Sequence, residues 1–292
     1  MKVAIFGQAF YPDSLKYLAQ ILSVFHERDI EYQFEEQYYL LVSENASGLH
    51  IKKTLIFQTI DDSFDLFFSL GGDGTILASV KFLEHVHIPI VGINTGRLGF
   101  LATIHKENIN SYINDILDGK YKISRRTVLK VNSDDPSIGA NNLFALNEVT
   151  ISRKDTTSMI SVDAWIEDEH VGRYWADGLI VSTPTGSTGY SLSCAGPIIT
   201  PQTKALVVTP IAPHNLNARP LVIPDDTKLR LKVSGRENEF LLSTDSRIHT
   251  ISQGYEIYVQ KANFEISLAL HNDNSFLKTL RTKLLWGEDQ RN

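Results

Sequence analysis

A single cysteine, Cys194, occurs in 292 residues, which excludes an intrachain disulfide and any cysteine-built metal cluster. No apolar run approaches the roughly 18–20 residues of a membrane-spanning helix. The opening Met1-Lys2-Val3-Ala4-Ile5-Phe6 lacks the long apolar stretch and small-residue cleavage site of a secretory signal, so a cytoplasmic protein is expected. Positive charge is also scarce. The net charge of −6 gives no sequence-independent attraction to nucleic acid, and the basic stretch near the carboxyl end holds only Lys278, Arg281 and Lys283. At helical spacing these three read as a solvated face. Familiar signatures are missing too. There is no G-x-x-x-x-G-K-[ST] phosphate loop, no complete G-x-G-x-x-G because Leu77 stands where the third glycine belongs, and no G-x-S-x-G elbow. His85 and His87 sit two apart, but no third zinc ligand accompanies them.

What is present suits a globular protein. Hydrophobic residues at 42% and charged residues at 21% can bury a substantial core in one large or two ordinary domains. Residues 3–7 read as a short buried strand, and 14–28 as a helix through Leu15, Leu18, Ile21, Leu22 and Phe25. Residues 64–70 form another apolar run, 75–86 a helix and 88–93 a strand. Such alternation predicts a Rossmann-like parallel sheet covered on both faces, with ligands at the carboxyl ends of its strands. The acidic, tyrosine-rich stretch 31–45 reads as a surface loop.

From about residue 124 the rhythm changes to short strands, among them 143–151, 160–166, 179–182, 206–209, 228–233, 256–261 and 264–270. That pattern predicts a β-sandwich-like domain. Residues 275–285 read as helical again, with Ser275 as N-cap and Phe276, Leu277, Leu280 and Leu284 on one side. The expected division is an α/β domain over 1–123, an all-β domain over 124–274, and a carboxyl-terminal helix, 275–292, returning to the first domain.

The strongest local signal is Gly71-Gly72-Asp73-Gly74-Thr75, between a strand and a helix. Glycines let the backbone approach a phosphate closely with its N–H groups free to donate, and the helix start adds positive potential. A carboxylate in such a cradle repels the ligand unless it serves chemistry, so Asp73 suits a general base. The plainer reading is a tight turn with Asp73 as N-cap; sequence alone supports both. The second signal is Asp177 and the following strand, ending in Ser182-Thr183-Pro184-Thr185-Gly186-Ser187-Thr188-Gly189-Tyr190-Ser191. Its hydroxyls could meet a ribose or a base, or simply form a turn. Asn147-Glu148 at a strand end offers an amide and a carboxylate to vicinal hydroxyls, and Asn94-Thr95-Gly96-Arg97-Leu98-Gly99-Phe100-Leu101 follows the next parallel strand.

Together and in this order, these segments resemble the NAD kinase family, with Pro213-His214-Asn215-Leu216-Asn217-Ala218-Arg219-Pro220 and Thr244-Asp245-Ser246 adding to the match. The glycine-aspartate loop alone is shared with lipid kinases and phosphofructokinases; its combination with Thr183-Pro184-Thr185-Gly186-Ser187-Thr188 is far more specific. The resemblance implies transfer of a phosphoryl group from ATP, or another donor, to the 2′-hydroxyl of the adenosine ribose of NAD. Asp73 is then the proton acceptor, and with Gly74 it contacts NAD. Asn147 and Glu148 hold ribose hydroxyls, and Asp177 lies near the nicotinamide end. Thr188, Gly189, Tyr190, Ser191, Leu192 and Ser193 match the adenine- and ribose-side loop. Ser158, Trp175, Ala212 and Arg247 line the same site, while Gly71, Gly72 and Thr75 shape the ATP phosphate end.

The resemblance also implies a Mg²⁺ or Mn²⁺ cofactor carried on the donor phosphates, and a homodimer or homotetramer. Gly189 stands where alanine is commoner, a change between small residues that should preserve the pocket. Ala78 and Trp175 replace basic residues usual in relatives, with Arg247 a candidate to compensate. Asp73→Asn is expected to leave the fold intact and abolish most turnover. The rivals are a lipid kinase, which needs an apolar acyl pocket, and a non-catalytic NAD(H) sensor, which gains nothing from Asp73.

Overall fold

The computed structural model describes residues 1–9, 12–45, 56–96, 99–105, 109–138, 143–155, 158–215 and 217–285, the side chains of Pro12, Asp13 and His105 apart. The chain forms two compact units, Met1–Arg125 with Ile266–Asn292, and Arg126–Glu265. No helix among the described residues is long and apolar enough to cross a membrane.

The first unit alternates strands and helices. Its first half holds β1 (Lys2–Gly7), α1 (Pro12–Glu27), β2 (Glu31–Glu35), α2 (Glu36–Asn45) and β3 (Ile56–Phe57). Then come β4 (Leu66–Gly71), α3 (Asp73–Ser79), β5 (Ile90–Asn94), β6 (Ile104–His105) and α4 (Ile109–Leu117). The strands pair in parallel in the order β3-β2-β1-β4-β5. β5 is buried along its whole length, as a central parallel strand covered on both faces must be. One core joins Ile5, Phe34, Phe68 and Ile93 of the sheet to Leu18, Ile21 and Phe25 of α1 and Ile113 and Ile116 of α4.

Two expectations fail here. Residues 31–45 are not a loop: Tyr32 and Phe34 alternate into the core as β2, then Tyr38 and Val42 enter it at helical spacing from α2. The Glu35 carboxylate accepts the Tyr38 N–H at 2.8 Å and so caps α2, a task for which glutamate is an unusual choice. The helix expected over 75–86 is the seven-residue α3 followed by a 3₁₀ turn, Val80–Phe82.

The second unit is built of antiparallel sheets. Its strands begin with β7 (Tyr121–Ser133), β8 (Leu143–Ala145), β9 (Glu148–Arg153), β10 (Ile160–Ile166), β11 (Glu169–Ala176) and β12 (Gly178–Ser182). After the single turn α5 (Tyr190–Ser193) come β13 (Ala205–Ile211), β14 (Leu221–Pro224), β15 (Leu229–Ser234), β16 (Glu239–Thr244), β17 (Arg247–Ser252) and β18 (Glu256–His271). One sheet runs β14-β13-β12-β9-β16-β17, and the other runs β11-β10-β15-β18 with β7 beside β18. Val149, Ile151, Leu179 and Val181 of the first share a core with Val162, Leu231 and Ile257 of the second, which makes a sandwich.

The run 143–151, expected as one strand, is broken between β8 and β9, whereas 256–261 and 264–270 fuse into the sixteen-residue β18. β18 leaves the second unit at Glu265 and ends in the first, where Leu268 pairs with Ile90. The helix α6 (Phe276–Leu284) follows in the first unit, with the Ser275 hydroxyl accepting the Lys278 N–H at its start. Its buried residues are Thr279 and Leu280; Leu277, expected inward, is 60% exposed, so the apolar face is narrower than its spacing implies. Trp286, expected to cap a hydrophobic contact, lies outside the described residues.

Candidate active site

The loop after β4 contains one forced turn and two open positions. Gly71 has φ +152°, and a Cβ there would overlap the Thr75 hydroxyl, so only glycine passes. A Cβ on Gly72 or Gly74 would meet no protein atom within 4 Å. Both face free space, where an anion could reach the backbone.

Asp73 is the first residue of α3, and Gly72 is its N-cap without a side-chain bond, so the N-cap reading of Asp73 fails. The carboxylate turns to the loop after β5. Oδ2 accepts the Phe100 N–H at 2.7 Å, and Oδ1 accepts those of Leu101 and Ala102 at 3.0 Å each. Asp73 thereby ties the glycine loop to the Asn94–Leu101 segment expected to face it. Gly99 makes room for this, since a Cβ there would overlap Asp73 Oδ1. Gly99→Ala should push the carboxylate off its amides at a cost of about 1–3 kcal/mol. Urea unfolding reads that loss directly; an unchanged midpoint would mean the carboxylate has room to move.

Strand order β3-β2-β1-β4-β5 puts the topological switch point between β1 and β4, where such sheets bind ligands. A cleft of about 530 Å³ opens there, lined by Gln8, Ser14, Tyr38, Gly72, Thr75 and Thr95 among others. Sequence reasoning missed Gln8, Ser14 and Tyr38, because Tyr38 reaches the cleft only through the unforeseen α2.

In the second unit, Asn147 and Glu148 sit at the break between β8 and β9. Asp245, in the turn between β16 and β17 with φ +52°, makes that break. Its carboxylate accepts the N–H groups of Leu146, Asn147 and Glu148 at 2.8, 2.9 and 3.1 Å, and its own N–H donates to the Glu148 carbonyl at 3.0 Å. Burial, and secondly the neighbouring Asp245 charge, push the Glu148 carboxyl up to about 7 against the opposing Tyr190 N–H. Glu148 Oε2 is buried without a hydrogen-bond partner. Asp245 is also raised, chiefly by burial.

The hydroxyl-rich loop spends most of its hydroxyls internally. Thr183 Oγ1 donates to the Leu146 carbonyl at 2.6 Å, Ser187 Oγ to the Pro184 carbonyl at 2.7 Å, and Ser191 shares a bond with Thr209 at 2.9 Å. Ser191 is fully buried, whereas Tyr190 and Ser193 are exposed and Thr188, Gly189 and Leu192 half-buried. Gly189 lies against the acidic pair: a Cβ there would stand 2.9 Å from Glu148 Oε2 and 3.5 Å from Asn147 Nδ2. An alanine here would ask the end of the Glu148 side chain to shift and would stand 3.2 Å from the Gly186 carbonyl oxygen.

Asp177 pairs with Arg153 at 3.1 Å. Trp175 is half exposed, its ring 4.4 Å from that of His214, and Ala212 between them in sequence has φ +44°. Arg247, the candidate replacement cation, donates to the Phe144 carbonyl. Ser158 is half-buried just ahead of β10. Ala78 is half-buried within α3.

The sequence profile of the ATP-NAD kinase N-terminal domain matches residues 21–121, and that of the ATP-NAD kinase C-terminal domain matches 146–270. The NAD kinase of Christiangramia forsetii is 53% identical over 294 aligned positions, and that of Flavobacterium psychrophilum 48%, each alignment covering 100% of both chains. Among solved structures, yeast NADH kinase complexed with NADH superposes with a TM-score of 0.85 at 24% identity, covering 99% of this chain and 88% of that one. An Archaeoglobus fulgidus NAD kinase in complex with ATP gives 0.73 at 23% identity, covering 97% of each. These two likenesses show the fold. With both domains matched in order and more than half the residues shared end to end with an NAD kinase, the chain belongs to the NAD kinase family, a phosphotransferase acting on an alcohol group of NAD with ATP as donor.

Proposed function

We propose that Asp73 accepts the proton of the 2′-hydroxyl of NAD's adenosine ribose as that oxygen attacks the terminal phosphorus of the donor. The new O–P bond forms as the bond to the leaving diphosphate breaks, and the proton passes to the carboxylate. One observation carries this reading. Asp73 lies between two glycines that border the switch-point cleft, and three successive amides fix its carboxylate. Oδ2 takes only one of those bonds and keeps a lone pair for a proton. Positioning and charge neutralisation then supply most of the rate.

The acceptor's ribose hydroxyls are assigned to Asn147 and Glu148, whose unpartnered Oε2 awaits a donor. Asp177 serves the nicotinamide end. Gly74, Thr188, Gly189, Tyr190, Ser191, Leu192 and Ser193 are assigned to NAD, as are Ser158, Trp175, Ala212 and Arg247. Because Ser191 is buried, its part is to hold the loop through Thr209. Gly71, Gly72 and Thr75 serve the donor phosphates.

Among the described residues no group of three or more His, Cys, Asp or Glu could hold a metal. In this reading Mg²⁺ or Mn²⁺ rides on the donor phosphates, neutralising their charge. A cytoplasmic location and a homodimer or homotetramer complete the reading. Incubation with NAD, ATP and Mg²⁺ should yield NADP, measured by an enzymatic cycling assay; no NADP above a blank lacking protein would sink it. Repeating the assay with other nucleotides, polyphosphate and NADH defines donor and acceptor range.

A further inference from the structure

We infer that Asp245 and Thr183 are positioning residues of the kinase reaction, holding the backbone of residues 146–148 so that Asn147 and Glu148 present their side chains to the dinucleotide. This deepens the reading above and rests on its assignment of those two side chains to NAD.

The three residues carry six backbone polar groups, and two residues supply a partner for all six. The Asp245 carboxylate accepts the N–H groups of Leu146, Asn147 and Glu148, and the Asp245 N–H donates to the Glu148 carbonyl. Thr183 takes the other two carbonyls: its hydroxyl donates to that of Leu146 at 2.6 Å, and its N–H to that of Asn147 at 2.9 Å. The two bonds from backbone N–H groups continue the pairing of β9 with β12 and β16. The four made by side chains do not, and they fall where β8 ends and β9 begins.

A turn serving shape alone would not need this construction. Asparagine has one acceptor oxygen and a donor where the second should be, so only a carboxylate receives three amides across both positions. That carboxylate comes at a cost: desolvation raises it, and its charge in turn raises Glu148. On the opposite side Thr183 is fully buried, and Gly186 lies flat against Asn147, whose carbonyl a Cβ at that glycine would overlap. This end of the hydroxyl-rich loop thus presses on the Asn147 backbone rather than on a ligand. What remains for chemistry is side chain: Asn147 and Glu148 are half-buried, and Glu148 Oε2 has no hydrogen-bond partner.

Asp245→Asn should raise the KM for NAD by about tenfold and leave the KM for MgATP within about twofold. Thr183→Val, which loses the hydroxyl at nearly constant shape, should raise the KM for NAD by about threefold, and Thr183→Ser, which keeps it, should restore the wild-type value. The valine variant stands in if Asp245→Asn fails to fold. In an Asn147→Ala, Glu148→Ala background, Asp245→Asn should add less than about twofold, because its effect passes through those two side chains. An unchanged KM for NAD in both Asp245→Asn and Thr183→Val overturns the inference, as does an equal rise for NAD and MgATP, the mark of general loosening. Failure of the parent assignment reads differently: Asn147→Ala and Glu148→Ala would then each leave the KM for NAD at the wild-type value.

Discussion

Asp73→Asn lowers turnover by about 10²–10⁴-fold and destabilises the protein by about 1–3 kcal/mol, from two separate causes. The kinetic loss follows from removing the proton acceptor. An amide oxygen is a poor base at neutral pH, so the attacking hydroxyl keeps its proton until late in the transfer. The stability loss was not expected from sequence. Oδ1 receives two backbone N–H groups and Oδ2 one. The asparagine oxygen can replace only one carboxylate oxygen, and its NH₂ must then face a backbone N–H at the other. Keeping the two bonds of Oδ1 sacrifices the 2.7 Å bond from Phe100.

Steady-state rates with saturating NAD and ATP, alongside urea unfolding, separate the two effects. The Gly99→Ala variant disturbs the same amides while retaining the acid, so it should share the stability loss and keep more of the turnover. Near wild-type kcat in Asp73→Asn would remove Asp73 from proton transfer. Full stability would remove the three amides from the energetics.

The pattern of an aspartate receiving three successive amides occurs in both units, and it explains where sequence reading ran out. Asp73 clamps residues 100–102 and Asp245 clamps 146–148. Each lies distant in sequence from the segment it holds, so no local spacing reveals the tie. The run 143–151 is apolar enough to read as one strand, yet Asp245 takes the N–H groups of its middle and opens the gap where Asn147 and Glu148 stand. The hydroxyl-rich loop has a second duty that its composition does not show. Its composition suits a ligand, but Thr183, Ser187 and Ser191 use their hydroxyls to hold the loop together.

Local features were legible because their causes are local. The glycine loop after an apolar strand, the Ser275 cap and the faces of α1 all follow from neighbours within a few residues. The cleft was half legible. Its glycine wall is written in Gly71-Gly72-Asp73-Gly74-Thr75, but its other wall depends on α2 and on the strand order, which residues 31–45 hid behind acidic and tyrosine-rich composition.

Glu148→Gln should make the protein more stable relative to wild type at pH 8 than at pH 5. Glu148 titrates near 7 when folded and near its ordinary 4.5 when unfolded. Between those values the folded state binds the extra proton, so Glu148 lowers stability progressively as pH rises from about 4.5 through about 7. Below that interval the carboxyl is neutral in both states and costs nothing. Above it the full penalty applies, roughly 3 kcal/mol for a shift of this size, with Asp245 repulsion included. Glutamine removes the charge at every pH. Its own buried NH₂ carries a packing and desolvation cost, but that cost is the same at both pH values and cancels in the comparison. The readable quantity is thus the change in mutant-minus-wild-type unfolding free energy between pH 5 and pH 8, expected to reach up to about 3 kcal/mol in favour of glutamine. An equal difference at both pH values would show that Glu148 ionises in the folded protein as easily as in water. The penalty would then be absent, and with it the ground for an acidic group held under strain to receive ribose hydroxyls.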